Sequence, residues 1–208
     1  MNIVDFRLLC ITDRTLLAGR KLDDVLEGLC AHGLRAVMLR EKDLGEDALY
    51  NLAVKCRPVF ERHRVTWTVN GSIDVARRAG AAGVHLTAAQ DPGGARAALG
   101  AGALVGKSVH AKGEAEEAER AGADFLVFGP VYATPSKVKY GPPQGLGKLG
   151  EVCAAVRIPV FAVGGVTPDC AGECVAAGAR GVAAVSALMT AEKPEVILAR
   201  YEYELGKL

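Results

Sequence analysis

The sequence predicts an α/β fold, an eight-stranded (β/α)8 TIM barrel built as a single compact domain over residues 1–208. Three observations carry that expectation. An Ala-rich amphipathic segment, a Gly and a short apolar run recur in CAHGLRAVMLR, RRAGAAGVHL, ERAGADFLVFGP and AAGARGVAAVS. The Gly suits the left-handed residue that ends a helix, and an unbroken apolar run suits a strand covered on both faces. Eight such runs occur, which is the number that closes a barrel of alternating strands and helices. An open doubly wound sheet is the other way to arrange the same elements.

The strands are expected at 7–12, 36–40, 65–69, 83–87, 104–108, 124–128, 159–163 and 181–185. Helical spacing lies between them. Leu22, Val25, Leu26 and Leu29 form one apolar stripe, and Leu49, Leu52, Ala53, Cys56 and Phe60 form another. Thr167 followed by Pro168 reads as an N-cap with proline at the first helical position. After the sixth strand comes GPVYATPSKVKYGPPQGLG, long enough to expect a functional loop or lid.

Composition excludes several classes of function. The formal charge of +1 offers no electrostatic footprint for nucleic acid. No run of apolar residues is long enough to span a membrane, and MNIVDFRLLCITD lacks the pattern of a secretory leader, so a cytoplasmic protein is expected. The six cysteines sit in apolar runs, where free Cys acts as a small hydrophobe. Cys170 and Cys174 are one helical turn apart, but no second Cys or His pair stands at ligand spacing, so no metal is expected there.

In such a barrel the chemistry sits at the C-terminal ends of the strands. After strand 2, Arg40 and Lys42 share the parity of Met38 and would place two cations at the mouth; surface pairing with Glu41, Asp43 or Glu46 is the plainer reading. Asn70 follows strand 3, either as a turn with Gly71 or as an amide presented to a ligand. Ser108 and His110 share parity after strand 5, and a neutral imidazole there could exchange a proton near neutral pH. His32, His63 and His85 are weaker candidates, the last because it lies within a buried-looking strand. In the loop after strand 6, Thr134, Ser136 and Lys137 could wrap a phosphate or carboxylate. Gly164 and Gly165 end strand 7, and Val185 and Ser186 end strand 8, a pairing suited to holding phosphate through backbone N–H groups. Cys10, near the end of strand 1, either faces this pocket or the helices.

In order, CITD, VMLREK, TVNGSIDVA, GVHL, GKSVH, GADFLVFGPVYATPSK, IPVFAVGGVTPD and GVAAVSAL resemble the thiamine phosphate synthase/TenI superfamily from residue 10 to residue 188. The resemblance implies the barrel, a phosphorylated thiazole as small-molecule partner and a homo-oligomer. It also implies one of two activities. A synthase joins a pyrimidine diphosphate to a thiazole phosphate with magnesium; a TenI-type tautomerase aromatises a carboxythiazole phosphate without metal. This chain has Asn70-Gly71 where the synthase pattern has Asn-Asp, Gln90 where it has a second aspartate, with Asp91 one residue late, and Met38 where it has Gln. Mg²⁺ is commonly anchored by one or two carboxylates. These departures favour the tautomerase, with His110 as its acid/base, Arg40, Lys42, Asn70, Ser108, Thr134, Ser136, Lys137, Gly164, Gly165, Val185 and Ser186 around the substrate, and no cofactor. Mg²⁺ enters only with the synthase alternative, which would recruit Asp13 or Asp91. A non-catalytic sensor of thiazole or thiamine phosphates is the third reading.

Overall fold

The computed structural model describes residues 4–134 and 142–206. Eight parallel strands close on themselves in chain order: β1 (Leu8–Ile11), β2 (Ala36–Leu39), β3 (Thr66–Asn70), β4 (Gly83–Leu86), β5 (Leu104–Val109), β6 (Phe125–Phe128), β7 (Val160–Val163) and β8 (Gly181–Ala184). All eight fall where the apolar runs place them. Pairing of β1 with β8, with Leu9 opposite Ala183, closes the ring and rules out the open sheet.

Among the described residues, the next element after each strand but the first is a helix. The helices are α1 (Leu22–Ala31), α2 (Glu46–His63), α3 (Ile73–Ala79), α4 (Pro92–Leu99), α5 (Lys112–Arg120), α6 (Gly145–Ala155), α7 (Pro168–Ala176), α8 (Ser186–Met189) and α9 (Pro194–Gly206), with a 3₁₀ turn at Arg14–Leu16 after β1. The glycines of the recurring unit, Gly33, Gly80, Gly122 and Gly178, have φ from 72° to 106°, the left-handed bend that turns each helix back into a strand. Thr167 caps α7 and Pro168 opens it, as the sequence predicts.

Strand alternation divides the core in two. Outward residues such as Cys10, Val37, Leu39, Trp67, Val69, Val84, Leu126 and Val182 pack against the helices. Inward residues Leu9, Ile11, Met38, Leu104, Phe125, Val127, Phe161 and Ala183 fill the barrel, joined from below by Val4 and Phe6. Cys10 therefore faces the helices and not the pocket. All six cysteines are free, and burial pushes the thiols of Cys30, Cys56 and Cys174 up to about 12, which keeps them as small hydrophobes.

The barrel floor is aromatic. Phe6 stacks on Phe161 at 5.1 Å between centroids, and Phe125 meets Phe161 edge-on at 5.9 Å. Phe125 finds room because β5 has Gly106 opposite it: a Cβ there would lie 2.2 Å from the Phe125 Cζ. The ring is 1% exposed and wedged between its aromatic neighbours, so it cannot yield. Gly106→Ala should therefore destabilise the fold by about 1–3 kcal/mol through overpacking. Gly28→Ala, inside α1 with nothing within 4 Å of the new Cβ, should instead stabilise it by up to about 1 kcal/mol. Urea unfolding of both variants checks the pair of signs.

Candidate active site

The C-terminal rim begins with a staple between the first two strands. Thr12 leaves β1 fully buried, and its Oγ1 donates to Glu41 Oε1 at 2.6 Å while accepting the backbone N–H of Arg40 at 3.0 Å. Glu41 Oε2 accepts the Arg14 N–H at 2.9 Å. Burial raises the Glu41 carboxyl above its ordinary value, opposed by these bonds. Arg14 pairs with Asp43 at 2.7 Å, and Glu46 accepts from Ser72 Oγ at 2.8 Å. The acids near Arg40 and Lys42 are thus bonded to the 3₁₀ turn and to the N-cap of α3. Arg40 follows β2 with the inward parity of Met38, and its charge reaches far enough to depress His85 on β4. Lys42, two residues on, is exposed.

Asn70 ends β3 inward, and its Oδ1 lies 3.3 Å from His85 Nδ1. With Nδ1 carrying the proton, His85 donates to the amide oxygen. Its ring is 2% exposed, and Nε2 and the Thr68 Oγ1 beside it on β3 are buried with no protein partner. Desolvation first, and the positive Arg40 second, push His85 down to about 3. It is a neutral polar residue of the upper barrel interior, which a reading of β4 as merely buried misses. The signal was its parity: His85 alternates with Val84 and Leu86, both of which pack outward.

Gln90 links the loops after β3 and β4. Its Nε2 donates to the Gly71 carbonyl at 2.7 Å, and its Oε1 accepts from the Thr87 N–H at 3.0 Å and hydroxyl at 3.1 Å. Lys107 of β5 donates to the carbonyls of Ala88, at 3.0 Å, and Gln90. Neither Gln90 in this role nor Lys107 is legible from the sequence, because the bonds that cross between strand ends finish on backbone carbonyls. Ser108 is half-buried on the inward face of β5. His110, next in phase, is exposed; its Nδ1 lies 2.6 Å from the Gly129 carbonyl, and its backbone N–H donates to Glu114 at 2.7 Å.

The ends of β6, β7 and β8 form the far side. Val131 and Tyr132 donate their N–H groups to Val163 and Gly164 at 2.9 Å each. A Cβ on Gly164 would lie 2.5 Å from Pro130, and one on Gly165 would lie 2.5 Å from the Ala133 carbonyl. The two glycines therefore let the segment after β6 lie flat on the end of β7, bringing Thr134 to the same rim. Val185, half-buried, and exposed Ser186 open α8 beside them. His110 reaches this side through Gly129. Ser136 and Lys137 lie outside the described residues.

The chain matches the family described as thiamine monophosphate synthase over residues 8–188. The chain belongs to the thiamine monophosphate synthase family. It is 46% identical over 195 residues to a protein of Geobacter sulfurreducens named "Putative thiamine-phosphate synthase", covering 93% of this chain and 92% of that one. It is 39% identical to "Thiamine-phosphate synthase" of Methanoculleus marisnigri, covering 88% of each. Its fold superposes on "Thiamine phosphate pyrophosphorylase from Pyrococcus furiosus" with a TM-score of 0.87 and 28% identity, covering 97% of this chain and 96% of that one.

Membership of the thiamine monophosphate synthase family places the chain among enzymes of thiamine biosynthesis, which act on small phosphorylated substrates. It corrects the expected activity. Relatives from 35% to 46% identical carry the synthase name, and the isomerase reading, with His110 as the acid/base of a tautomerase, is overturned. The reason is one of weight: departures at three positions are outweighed by likeness along nine-tenths of the chain. No helix among the described residues is long and apolar enough to cross a membrane.

His85 has a consequence for stability. It binds a proton below about pH 6.5 when unfolded but only near 3 when folded. Protons therefore favour the unfolded chain, and the stability present above pH 6.5 is lost progressively as pH falls towards 3, by roughly 3 kcal/mol at pH 4.5. His85→Leu should flatten the fall in Tm between pH 7 and pH 4.5. An unchanged slope in thermal scans would show that the ring titrates normally.

Proposed function

We propose that the chain is a transferase that joins hydroxymethylpyrimidine diphosphate to a thiazole phosphate, yielding thiamine phosphate and pyrophosphate. The likeness to named synthases across nearly the whole chain carries this reading. Two candidate anion-binding elements at separate strand ends of one mouth, on either side of β1, support it. Arg40 and Lys42 stand after β2; the glycine pair after β7 and the start of α8 stand after β7 and β8.

The division suits two substrates. A phosphate on the thiazole would sit over Gly164, Gly165, Val185 and Ser186, where the absence of side chains at the glycines brings backbone close to the ligand. Thr134 and Ser108 would add hydroxyl donors, and Asn70 an amide. The pyrimidine diphosphate would lie towards β2, its charge offset by Arg40 and Lys42; Lys137, outside the described residues, is assigned to the same task from the sequence.

The transfer needs no general base. The bond between the pyrimidine methylene carbon and the diphosphate oxygen breaks, and its electron pair departs on pyrophosphate. The lone pair of the thiazole nitrogen makes the new C–N bond, and no proton changes hands. Under this reading His110 is a positioning residue: it fixes the end of β5 to the start of the segment after β6 through the Gly129 carbonyl. What the protein must supply is alignment of nucleophile and carbon, and stabilisation of charge growing on the leaving group.

A carboxylate-anchored Mg²⁺ does not fit these residues. Asn70 faces His85, Gln90 is bonded through both ends of its amide, Asp13 accepts the N–H and hydroxyl of Thr15, and Asp91 caps α4 through the Gly94 N–H at 2.8 Å. Among the described residues no three of His, Cys, Asp and Glu converge. No step is therefore routed through a metal.

Incubation of the chain with both substrates should form thiamine phosphate, detected by chromatography, with pyrophosphate in equal amount. Arg40→Ala should lower kcat/KM by about 10²-fold, the usual cost of removing one charged donor from a developing oxyanion. Thiazole phosphate recovered unchanged at high enzyme concentration would refute the assignment.

A further inference from the structure

We infer that this chain performs its transfer without a divalent cation held by protein carboxylates: Gln90 clasps together the two loops that would carry such an anchor, and the chain's own cations neutralise the diphosphate. The inference rests on the transferase reading above and concerns the same site.

The clasp is specific to an amide. Gln90 Nε2 donates to the Gly71 carbonyl at 2.7 Å, while Oε1 accepts twice from Thr87. A carboxylate at the end of this side chain could accept from Thr87 but would set a negative oxygen against the Gly71 carbonyl with no hydrogen between them. The residue is a cross-link between the ends of β3 and β4, and its acceptor oxygen, the atom a cation would need, is already taken by two bonds from Thr87. Gly71, where the first carboxylate of the synthase pattern would stand, has φ of +81° and contributes its carbonyl to the clasp.

The surroundings of the clasp are cationic. The Lys107 ammonium bonds the Ala88 and Gln90 carbonyls in the same loop, so two backbone oxygens that could face a hard cation are already turned to a fixed positive charge. Asp91 is exposed and directed at the α4 N-terminus. A Mg²⁺ ion requires near-octahedral oxygen donors and gives up its water reluctantly. At this rim it would meet amides engaged elsewhere and an ammonium group.

Charge on the leaving group must then be met by side chains. Arg40 is placed for it: the guanidinium follows β2 on its inward face, and its field is felt at His85 on the far side of β3. A guanidinium presents a planar fork that matches phosphate oxygens in pairs, and it holds its charge at every physiological pH. Lys42, in phase with it, adds a second positive charge further out. As the C–O bond breaks the electron pair moves onto an oxygen already facing these groups, and neither an added oxidant, reductant nor proton donor is required.

The test uses the full chain, stripped of metal, with inorganic pyrophosphate as the binding probe and the two substrates for turnover, each in excess EDTA and in Mg²⁺. The inference expects pyrophosphate affinity by calorimetry, and turnover, to agree within about threefold between the two conditions. Arg40→Ala should weaken pyrophosphate in EDTA by about tenfold or more. Turnover or affinity that drops more than about tenfold in EDTA and returns with Mg²⁺ would overturn it, as would failure to bind pyrophosphate in either condition. Metal-independent pyrophosphate binding without any turnover would refute the transferase reading while upholding the metal-free anion site.

Discussion

Closing eight parallel strands into a ring fixes the direction of every side chain upon them, and that constraint governs the rest of this molecule. Alternate residues have only two destinations, the helical shell or the barrel interior. Cys10, Val37, Val69 and Val84 go outward, and Leu9, Met38, Phe125 and Phe161 go inward. Because the ring is narrow, inward volume must be balanced residue by residue. Phe125 is admitted by the missing side chain of Gly106, and the Phe6–Phe161 stack closes the floor beneath it. The same phase, carried two residues further along β2, β3 and β5, delivers Arg40, Asn70 and Ser108 to the mouth. Packing and function are thus read from one alternation.

The mouth shows how a chain with nearly balanced charge can present a cationic rim. Its acids are present but occupied. Glu41 staples β2 to the turn after β1, Asp43 pairs with Arg14, Glu46 holds Ser72, and Asp13 and Asp91 cap local turns. Each of these bonds is structural, either tying one loop to the next or capping a local turn. The outcome is that carboxylates are spent on shaping the loops. Under the proposed function, arginine, lysine and backbone N–H groups are the polarity that meets a phosphorylated ligand.

Much of this was legible in the sequence, and the reasons differ by feature. The strands could be placed because doubly covered strands are continuous apolar runs, and the Gly preceding several of them marks a helix end that only a residue without Cβ adopts easily. The glycine pair and Val185-Ser186 were legible as a rim because the barrel fixes where strands 7 and 8 end. The clasp was not, since Gln90 and Lys107 bond to main-chain carbonyls that no residue pattern encodes. His85 was passed over because a histidine in an apolar run looks like filler until the parity of β4 turns it inward. The expected tautomerase failed for a related reason: the missing aspartates suggest a change of reaction, whereas in the folded chain Gly71 and Gln90 form a cross-link between the loops after β3 and β4, and relatives along nine-tenths of the chain carry the synthase name.

One mouth holding two anions at separate strand ends, on either side of β1, is the central claim. A crystal structure of the chain with pyrophosphate and thiazole phosphate tests it most directly. Pyrophosphate should lie against Arg40 and Lys42, and the thiazole phosphate within hydrogen-bonding reach of the backbone at Gly165 and Ser186. Ligand density at the opposite, N-terminal end of the barrel, with this rim unchanged, would contradict it.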